Sequence, residues 1–425
     1  MFFNLLKNKK ELFFIFLLLL FFYRSPYIFL NGRFGGEEGS TYFAYAYNNN
    51  FIASLFFVDF HSGYLNMWAN ISAIVANFFD LLYAPLVSNY LSLLPKIFII
   101  YIALYKDSLL LNNFKYKILF CLIVFLSPLN VPEIWLNSIN SQIFFCILTF
   151  SLFLIKNLKD KINYTYIFLI IIAGLTGVYS NMLFPLFYFK YKKYKTLQDK
   201  YNLIFIFSTA VVQFFVVMYS KLSGALYEGK IHSINLELML NYVYNVFFKT
   251  FFSGDIIKYF HSLLGIKSNL ILIIFFVTML FLLIKFYYLI KKNLDFKSEN
   301  SFLFFSLIYS FIAISFLVII GAAGNYVGGR YAALPSFFLL NLILFLIKFF
   351  NKQKIAYLFI ALLITSLCTG LYEFRPNSKN KRIKYIKFLD CIDCPNWSRE
   401  IEKYNQNKDY SLRIWPYPKK SMNLN

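Results

Sequence analysis

Apolar runs of roughly 15 to 20 residues, separated by short lysine-rich segments, recur along most of the chain. A helix needs about 20 residues to cross a bilayer core of about 30 Å, and fewer where it is short and packed inside a bundle. On that measure the pattern predicts spans near residues 11–30, 86–105, 116–131, 141–156, 163–175, 178–190, 203–220, 269–290, 302–321, 331–349 and 354–373. The expected fold class is therefore an all-α polytopic membrane protein with about eleven transmembrane helices. Lys7, Lys9 and Lys10 precede the first run, but Tyr23-Arg24-Ser25-Pro26-Tyr27 offers no small-residue cleavage site, which predicts an uncleaved anchor. Residues 63–83 break the pattern, because Asn66, Trp68, Asn70, Asn77 and Asp80 interrupt the apolar positions; an interfacial helix is predicted there. Lys96, beside Pro95, lies within a predicted span, where a charge costs about 2.5 to 3.5 kcal/mol on insertion scales. Either it faces the bundle interior or the span boundary lies elsewhere.

Composition sharpens this picture. A chain of 425 residues that is 59% hydrophobic and 15% charged is excluded from the ordinary soluble and disordered classes. The net charge of +22 invites a nucleic-acid reading, yet the lysines flank apolar runs instead of forming one basic face, so no nucleic-acid partner is expected. Lys7 to Lys10, Lys106 to Lys117, Lys156 to Lys161, Lys190 to Lys200, Lys291 to Lys297 and Lys348 to Lys354 fall in alternate loops. Lysine-rich short loops mark the cytoplasmic side. The intervening loops Asn130–Asn140, Thr176–Asn181 and Ala322–Arg330 carry a single basic residue, so they face outward. The amino terminus is then cytoplasmic, and residues 1–373 form the transmembrane domain. Segments 31–85 and 221–268 are its two large outer loops, and 374–425 is a small extracytoplasmic module. Phe, Ile, Lys, Asn and Tyr share AT-rich codons, so their surplus carries little functional weight. Arginine is scarce, and only Arg24, Arg33 and Arg330 precede the tail.

The candidate chemistry lies on the outward side. Asn31-Gly-Arg-Phe-Gly-Gly-Glu37-Glu38 sets two adjacent carboxylates after a glycine-rich turn, where a carboxylate can serve as a general base or a metal ligand, or can be a solvated loop acid. Asp59 and His61 share one face of an extended stretch, which suits a divalent metal, an acid/base pair or a structural turn. Trp135 and Asn137, in a loop of amides and an indole, suit stacking on a sugar ring and bonding its hydroxyls; short-loop helix capping accounts for the same residues. Arg330-Tyr331, after two glycines, suits bidentate capture of a lipid phosphate or an interfacial arginine beside a belt aromatic. His232, in the second large loop, belongs to a stretch that could reach over the site.

A first span followed by a large outer loop with a two-acid motif, an interfacial helix, about eleven spans and an outer tail resembles the GT-C superfamily of membrane glycosyltransferases. The resemblance implies an integral protein of a bacterial inner (plasma) membrane that takes a sugar from a polyprenyl-phosphate carrier. The sugar passes to an envelope glycan, lipid or protein acceptor at the extracytoplasmic face, by an inverting step. It implies Glu38 or Glu37 as the catalytic base, with slight preference for Glu38 and with Asp59 as a further acid. Arg330, Tyr331, His232, Trp135 and Asn137 become substrate-binding residues. No cofactor is required beyond an optional divalent metal, and the chain has neither a Walker nor a Rossmann glycine motif. The competing classes are a lipid-linked glycan transporter or flippase, which calls for charged residues buried across the midplane, and an O-antigen-polymerase-like enzyme, which calls for outer-loop arginines. Cys391 and Cys394 read most simply as a disulfide pinning the tail, while Cys121, Cys146 and Cys368 read as packing residues.

Overall fold

A computed structural model describes residues 9–24, 26–127, 132–157, 161–226, 235–252, 298–321, 327–351, 353–373, 396–415 and 420–424, with isolated helical positions from 262 to 288. In chain order it has α1 (Lys9–Arg24), α2 (Pro26–Asn31), a π-helical turn (Glu38–Phe43) running into α3 (Ala44–Asn48), α4 (Phe51–Leu55) and a two-residue hairpin of β1 (Val58–Asp59) and β2 (Tyr64–Leu65). Then come α5 (Met67–Asn77), α6 (Ala84–Tyr105), α7 (Phe114–Leu126), α8 (Pro132–Trp135), α9 (Ser141–Leu154), α10 (Tyr164–Leu175), α11 (Phe184–Tyr194) and α12 (Leu197–Leu222). α13 (Leu236–Val243), α14 (Glu299–Gly321), α15 (Arg330–Phe349), α16 (Ile355–Glu373), α17 (Trp397–Gln406) and the hairpin β3 (Leu412–Ile414) and β4 (Lys420–Met422) complete it.

Asparagine and threonine start many of these helices. Asn50, Asn66, Asn113, Asn163, Thr196, Asn235 and Asn396 each accept a backbone N–H of the first turn through the side chain. An unpaired N–H at a helix start in an apolar setting is costly, and short polar side chains supply the acceptor.

Among the described residues five helices are long and apolar enough to cross a membrane: α6, α12, α14, α15 and α16. On α12 Ile204, Phe207, Phe214 and Phe215 are exposed, as is expected of a face turned to lipid. Helices also lie at the other predicted places where residues are described, but α9, α10 and α11 have 14, 12 and 11 residues. At 1.5 Å per residue they reach roughly 16 to 21 Å, short of a 30 Å core. The reason is visible in their environment. Every residue of α9 is buried, and a helix apolar on all sides belongs to a bundle core as readily as to lipid. Between α10 and α11 the chain turns at Gly177 (φ +80°), and a Cβ on Gly174 would lie 2.0 Å from Thr209 Oγ1, so the turn sits directly against α12. Of the span predicted at 269–290, Val277, Phe281, Ile284 and Tyr288 are described, all helical and exposed at one-face spacing.

The chain divides into two compact units, residues 1–106, 131–227 and 376–425 in the first, and 107–130 and 228–375 in the second. In the first, α6 packs on α9 and α10 on α12. Pro95 interrupts α6 without ending it, and Lys96 is fully buried, its Nζ donating to Ser92 O at 2.9 Å and lying 4.0 Å from the Phe144 ring centroid. The lysine thus faces the bundle interior. α5 has 11 residues, too few to cross, and its asparagines are engaged: Asn70 donates to Leu55 O and Phe57 O, and Asn77 to Ala46 O. In the second unit α14 and α16 flank α15, whose interior is almost wholly buried. Lys348 Nζ donates to Leu109 O and Leu110 O, tying the end of α15 to the segment before α7.

Candidate functional site at the first loop and the tail

The glycine-rich turn after α2 is held by two constraints that the residue types dictate. Gly32 has φ +62°, and a Cβ there would lie 2.5 Å from Leu86 N, so only glycine admits this approach of the turn to α6. Asn89 of α6 then clamps Arg33 by its backbone, accepting from Arg33 N at 2.9 Å and donating to Arg33 O at 3.2 Å. The same amide donates to Leu136 O at 2.8 Å.

The two adjacent glutamates have opposite surroundings. Glu38 is 2% exposed, and its Oε1 accepts from Ser88 Oγ (2.8 Å), Ser138 N (2.8 Å) and Ser138 Oγ (2.6 Å), while Oε2 accepts from Gly35 N (3.2 Å). It joins the first loop, α6 and the loop before α9. Burial pushes its carboxyl above the ordinary value of 4.5, against the pull of the four donors, and among the described residues no cation pairs with it. Glu37 is the exposed member, with a side chain 53% accessible and 3.4 Å from Lys420 Nζ of β4.

Lys420 belongs to the tail, which packs on this loop. Gly35 pairs with Trp415 in a parallel bridge, Gly36 N donates to Trp415 O at 2.6 Å, and Trp397 Nε1 donates to Leu81 O at 3.0 Å. Phe34, Phe43, Ala73, Leu412, Ile414 and Met422 share one buried cluster. Between loop and tail lies a cavity of about 280 Å³. Arg33, Arg413, Trp397 and Trp415 line it, together with Asn31, Asn396, Leu30, Leu82 and Leu86.

The remaining predicted site residues that are described each have partners of their own. Asp59 accepts from His61 N (3.2 Å) and Ser62 Oγ (2.5 Å), which makes it the anchor of the hairpin turn between β1 and β2. Those donors, and the exposure of His61, do not form a metal cradle, and among the described residues no three His, Cys, Asp or Glu side chains gather around one point. Trp135 is fully buried, with Arg24 Cζ 4.3 Å and Lys96 Nζ 5.7 Å from its ring and the Phe21 ring tilted against it at 4.8 Å. Asn137, also buried, accepts from Asn140 N at 3.0 Å and shapes the turn into α9. Arg330 and Tyr331 open α15 in the second unit, where Arg330 Nη2 donates to Tyr331 OH at 3.3 Å after Gly329 (φ +57°). His232, Cys391 and Cys394 lie outside the described residues.

Arg413, Trp397 and Trp415 are not among the site residues predicted from the sequence. The signal that could have found them is arginine's scarcity: seven occur among 42 basic residues, and two line one small cavity. Comparison with protein-family models, curated proteins and solved structures finds no match to the chain.

Proposed function

We propose that the chain is a polytopic membrane glycosyltransferase of the GT-C type. It moves a sugar from a polyprenyl-phosphate carrier to a glycan, lipid or protein acceptor at the lysine-poor, extracytoplasmic face of the plasma membrane. The observation that carries the reading is the division of labour in the acid pair: Glu38 is spent on four internal hydrogen bonds, while Glu37 stands exposed beside it on the same rigid turn. An inverting transfer asks for one accessible carboxylate held in place to take the acceptor's proton. In this reading the base is Glu37, and Glu38 positions it. The donor's glycosyl phosphate bond supplies the driving force, so no nucleotide site is needed.

A transporter of lipid-linked glycans has one observation in its favour, the burial of both Lys96 and Arg24 within the first unit. One experiment separates the two readings. Envelope glycans and lipid-linked sugars are compared by mass spectrometry in a deletion strain rescued with wild type, Glu37→Gln or Lys96→Met at matched expression. The transferase reading expects one sugar unit to be missing in the deletion and restored by wild type but not by Glu37→Gln, with the unspent lipid-linked donor accumulating. Full rescue by Glu37→Gln overturns Glu37 as base; full rescue by Glu37→Gln with failure of Lys96→Met favours the transporter, and an unaltered glycan in the deletion strain overturns the transferase reading.

A further inference from the structure

α12 is a ruler for the depth of whatever packs on it. Its 26 residues reach about 39 Å at 1.5 Å each, more than a bilayer core of about 30 Å. Its first turn lies on the lysine-rich side, and both ends of the segment 163–195 meet that turn. The Gln198 side chain accepts from Asn163 N just before α10, and Asp199 pairs with Lys190 of α11 at 3.1 Å. Higher on α12, the Phe207 ring lies 5.9 Å from Phe184 at the start of α11. The turn joining the two short helices sits at Thr209, whose hydroxyl donates to Asn181 Oδ1 at 3.0 Å and is the group that a Cβ on Gly174 would strike. From Asp199 to Thr209 is a rise of about 15 Å, less than half of the helix.

The next rungs of α12 belong to the first loop. The Gln213 side chain clamps the backbone of Leu65, accepting from its N–H at 3.1 Å and donating to its C=O at 2.8 Å. Further out, the Tyr219 ring lies 5.0 Å from Phe60, in the β1–β2 hairpin. The loop also closes over the turn itself. Gly177 N donates to Leu65 O at 2.9 Å, Trp68 N donates to Thr176 Oγ1 at 3.2 Å, and Asn66 bridges to Thr176. Asn181 Nδ2 donates to the C=O groups of Gly174 and Gly177. Non-helical backbone survives at membrane depth only where protein or enclosed water satisfies it, and these contacts do so. The sequence fits the same arrangement: no charged residue occurs between Asn163 and Phe189, and lysines stand on either side, at 156, 159 and 161 and again at 190, 192, 193 and 195.

We infer that residues 163–195 form a re-entrant hairpin, entering and leaving the bilayer on the cytoplasmic side, and that the first outer loop descends to seal its tip. The turn Thr176–Asn181 then lies inside the bilayer instead of facing outward. Two of the eleven crossings that the apolar pattern predicts are removed, yet every later element keeps its orientation, because the segment returns to the side it left. The seal is also a footing for the acid pair: Asn66 Nδ2 donates to Ile139 O at 3.0 Å, next to Ser138, which holds Glu38. The device is the same whether or not the protein transfers a sugar.

The test is sided thiol labelling of the full chain with its five cysteines replaced by alanine, carrying one reporter cysteine at a time. Spheroplasts expose the outer face and inverted vesicles the cytoplasmic face to a membrane-impermeant polyethylene glycol maleimide. His61→Cys should label from outside, and Lys161→Cys and Lys192→Cys from the cytoplasmic side; all three positions are exposed. Val178→Cys, at the tip, should label from outside about ten-fold or more slowly than His61→Cys, because access limits thiol reactivity, and should label fully once the protein is denatured. Gln213→Leu removes the clamp on Leu65 and should speed outside labelling of Val178→Cys while leaving His61→Cys unchanged. A short bis-maleimide should join Phe60→Cys to Tyr219→Cys but not Val178→Cys to Tyr219→Cys. Each variant is checked for elution as a single species like wild type. Outside labelling of Val178→Cys as fast as His61→Cys, or its joining to Tyr219→Cys, overturns the hairpin. Unchanged protection of Val178→Cys in Gln213→Leu overturns the first loop as its seal.

Discussion

Two carboxylates, Glu38 and Glu400, show how environment sets the role of one residue type. Each is almost fully buried and each accepts several hydrogen bonds, but Glu400 adds an ion pair with Lys403 at 3.2 Å and Glu38 has no such partner among the described residues. Burial alone would raise both carboxyls. At Glu400 the bonds from Tyr410, Arg413 and Lys403 outweigh it and hold the carboxyl below 4.5, while at Glu38 burial prevails. The signs of the stability effects are therefore opposite. Glu38 holds a proton more tightly in the folded chain than in the unfolded one, so its contribution is full below about 4.5 and declines as pH rises through its folded value. Glu400 contributes above its ordinary value, and that contribution is lost as pH falls through its folded value. Glu38→Gln keeps a neutral side chain at every pH. Melting curves in detergent should show its stability relative to wild type improving as pH rises from about 4.5 towards neutrality. Glu38→Ala is different, because it orphans the buried N–H groups of Gly35 and Ser138, and it should cost on the order of 2 to 4 kcal/mol at any pH. Glu37→Ala removes only a surface contact to Lys420 and should change stability by less than about 1 kcal/mol.

At the scale of elements, the joint between α11 and α12 depends on a buried ion pair. Lys190 Nζ lies 3.1 Å from Asp199 Oδ1 with both side chains 2% accessible, and it also donates to Ile155 O at 2.6 Å. Asp199 further accepts from Thr196 Oγ1 and Asn157 Nδ2, each at 2.6 Å, so every charge in the cluster is neutralised or hydrogen-bonded. The hydroxyl of Thr196 in turn caps α12. Breaking one partner leaves a buried charge without compensation, which costs about 3 to 5 kcal/mol, whereas an apolar pair of similar volume restores much of the loss. Asp199→Asn should therefore lower the melting temperature steeply, and Lys190→Met combined with Asp199→Leu should recover most of it. Equal melting temperatures for the single and double variants would refute this account. The lysines at 190–200 were legible in the sequence as a charged loop, but their split between a buried lysine and exposed neighbours was not. Nothing in the local sequence separates Lys190 from Lys192; the position of Asp199 across the turn does.

For the molecule as a whole, the tail is part of the first unit and not an appendage to it. It contributes Leu412, Ile414, Met422 and Leu424 to the same buried cluster as Phe34 and Phe43 of the first loop and Ala73 of α5. A segment of about fifty residues buries too little surface to be stable alone, so it is expected to fold only on this loop. Removing residues 396–425 would uncover the loop's aromatic side chains and open one wall of the cavity. Such a truncation should expose the first loop to limited proteolysis while leaving fragments of the second unit, residues 228–375, resistant, and an unchanged digestion pattern would show that the tail is dispensable.

Much of this protein follows from its sequence through one physical rule: buried backbone in an apolar medium must satisfy its hydrogen bonds internally, so long apolar runs become helices. That rule, with asparagine caps and glycine turns, set the helical class and most helix positions. It did not separate helices of membrane length from the buried α9 or the short α10 and α11, because an apolar run reads alike against lipid and against other helices. The acid pair was legible as a candidate, yet which glutamate is buried depends on Ser88 and Ser138, 50 and 100 residues away. The cavity was illegible for the same reason. Arg33 and Arg413 stand 380 positions apart, and only packing of the tail on the first loop brings both to one cavity. Local pattern determines elements, because backbone hydrogen bonding and side-chain hydrophobicity act over a few residues. Contacts made after hundreds of residues, which depend on shape and volume across the whole unit, determined the site.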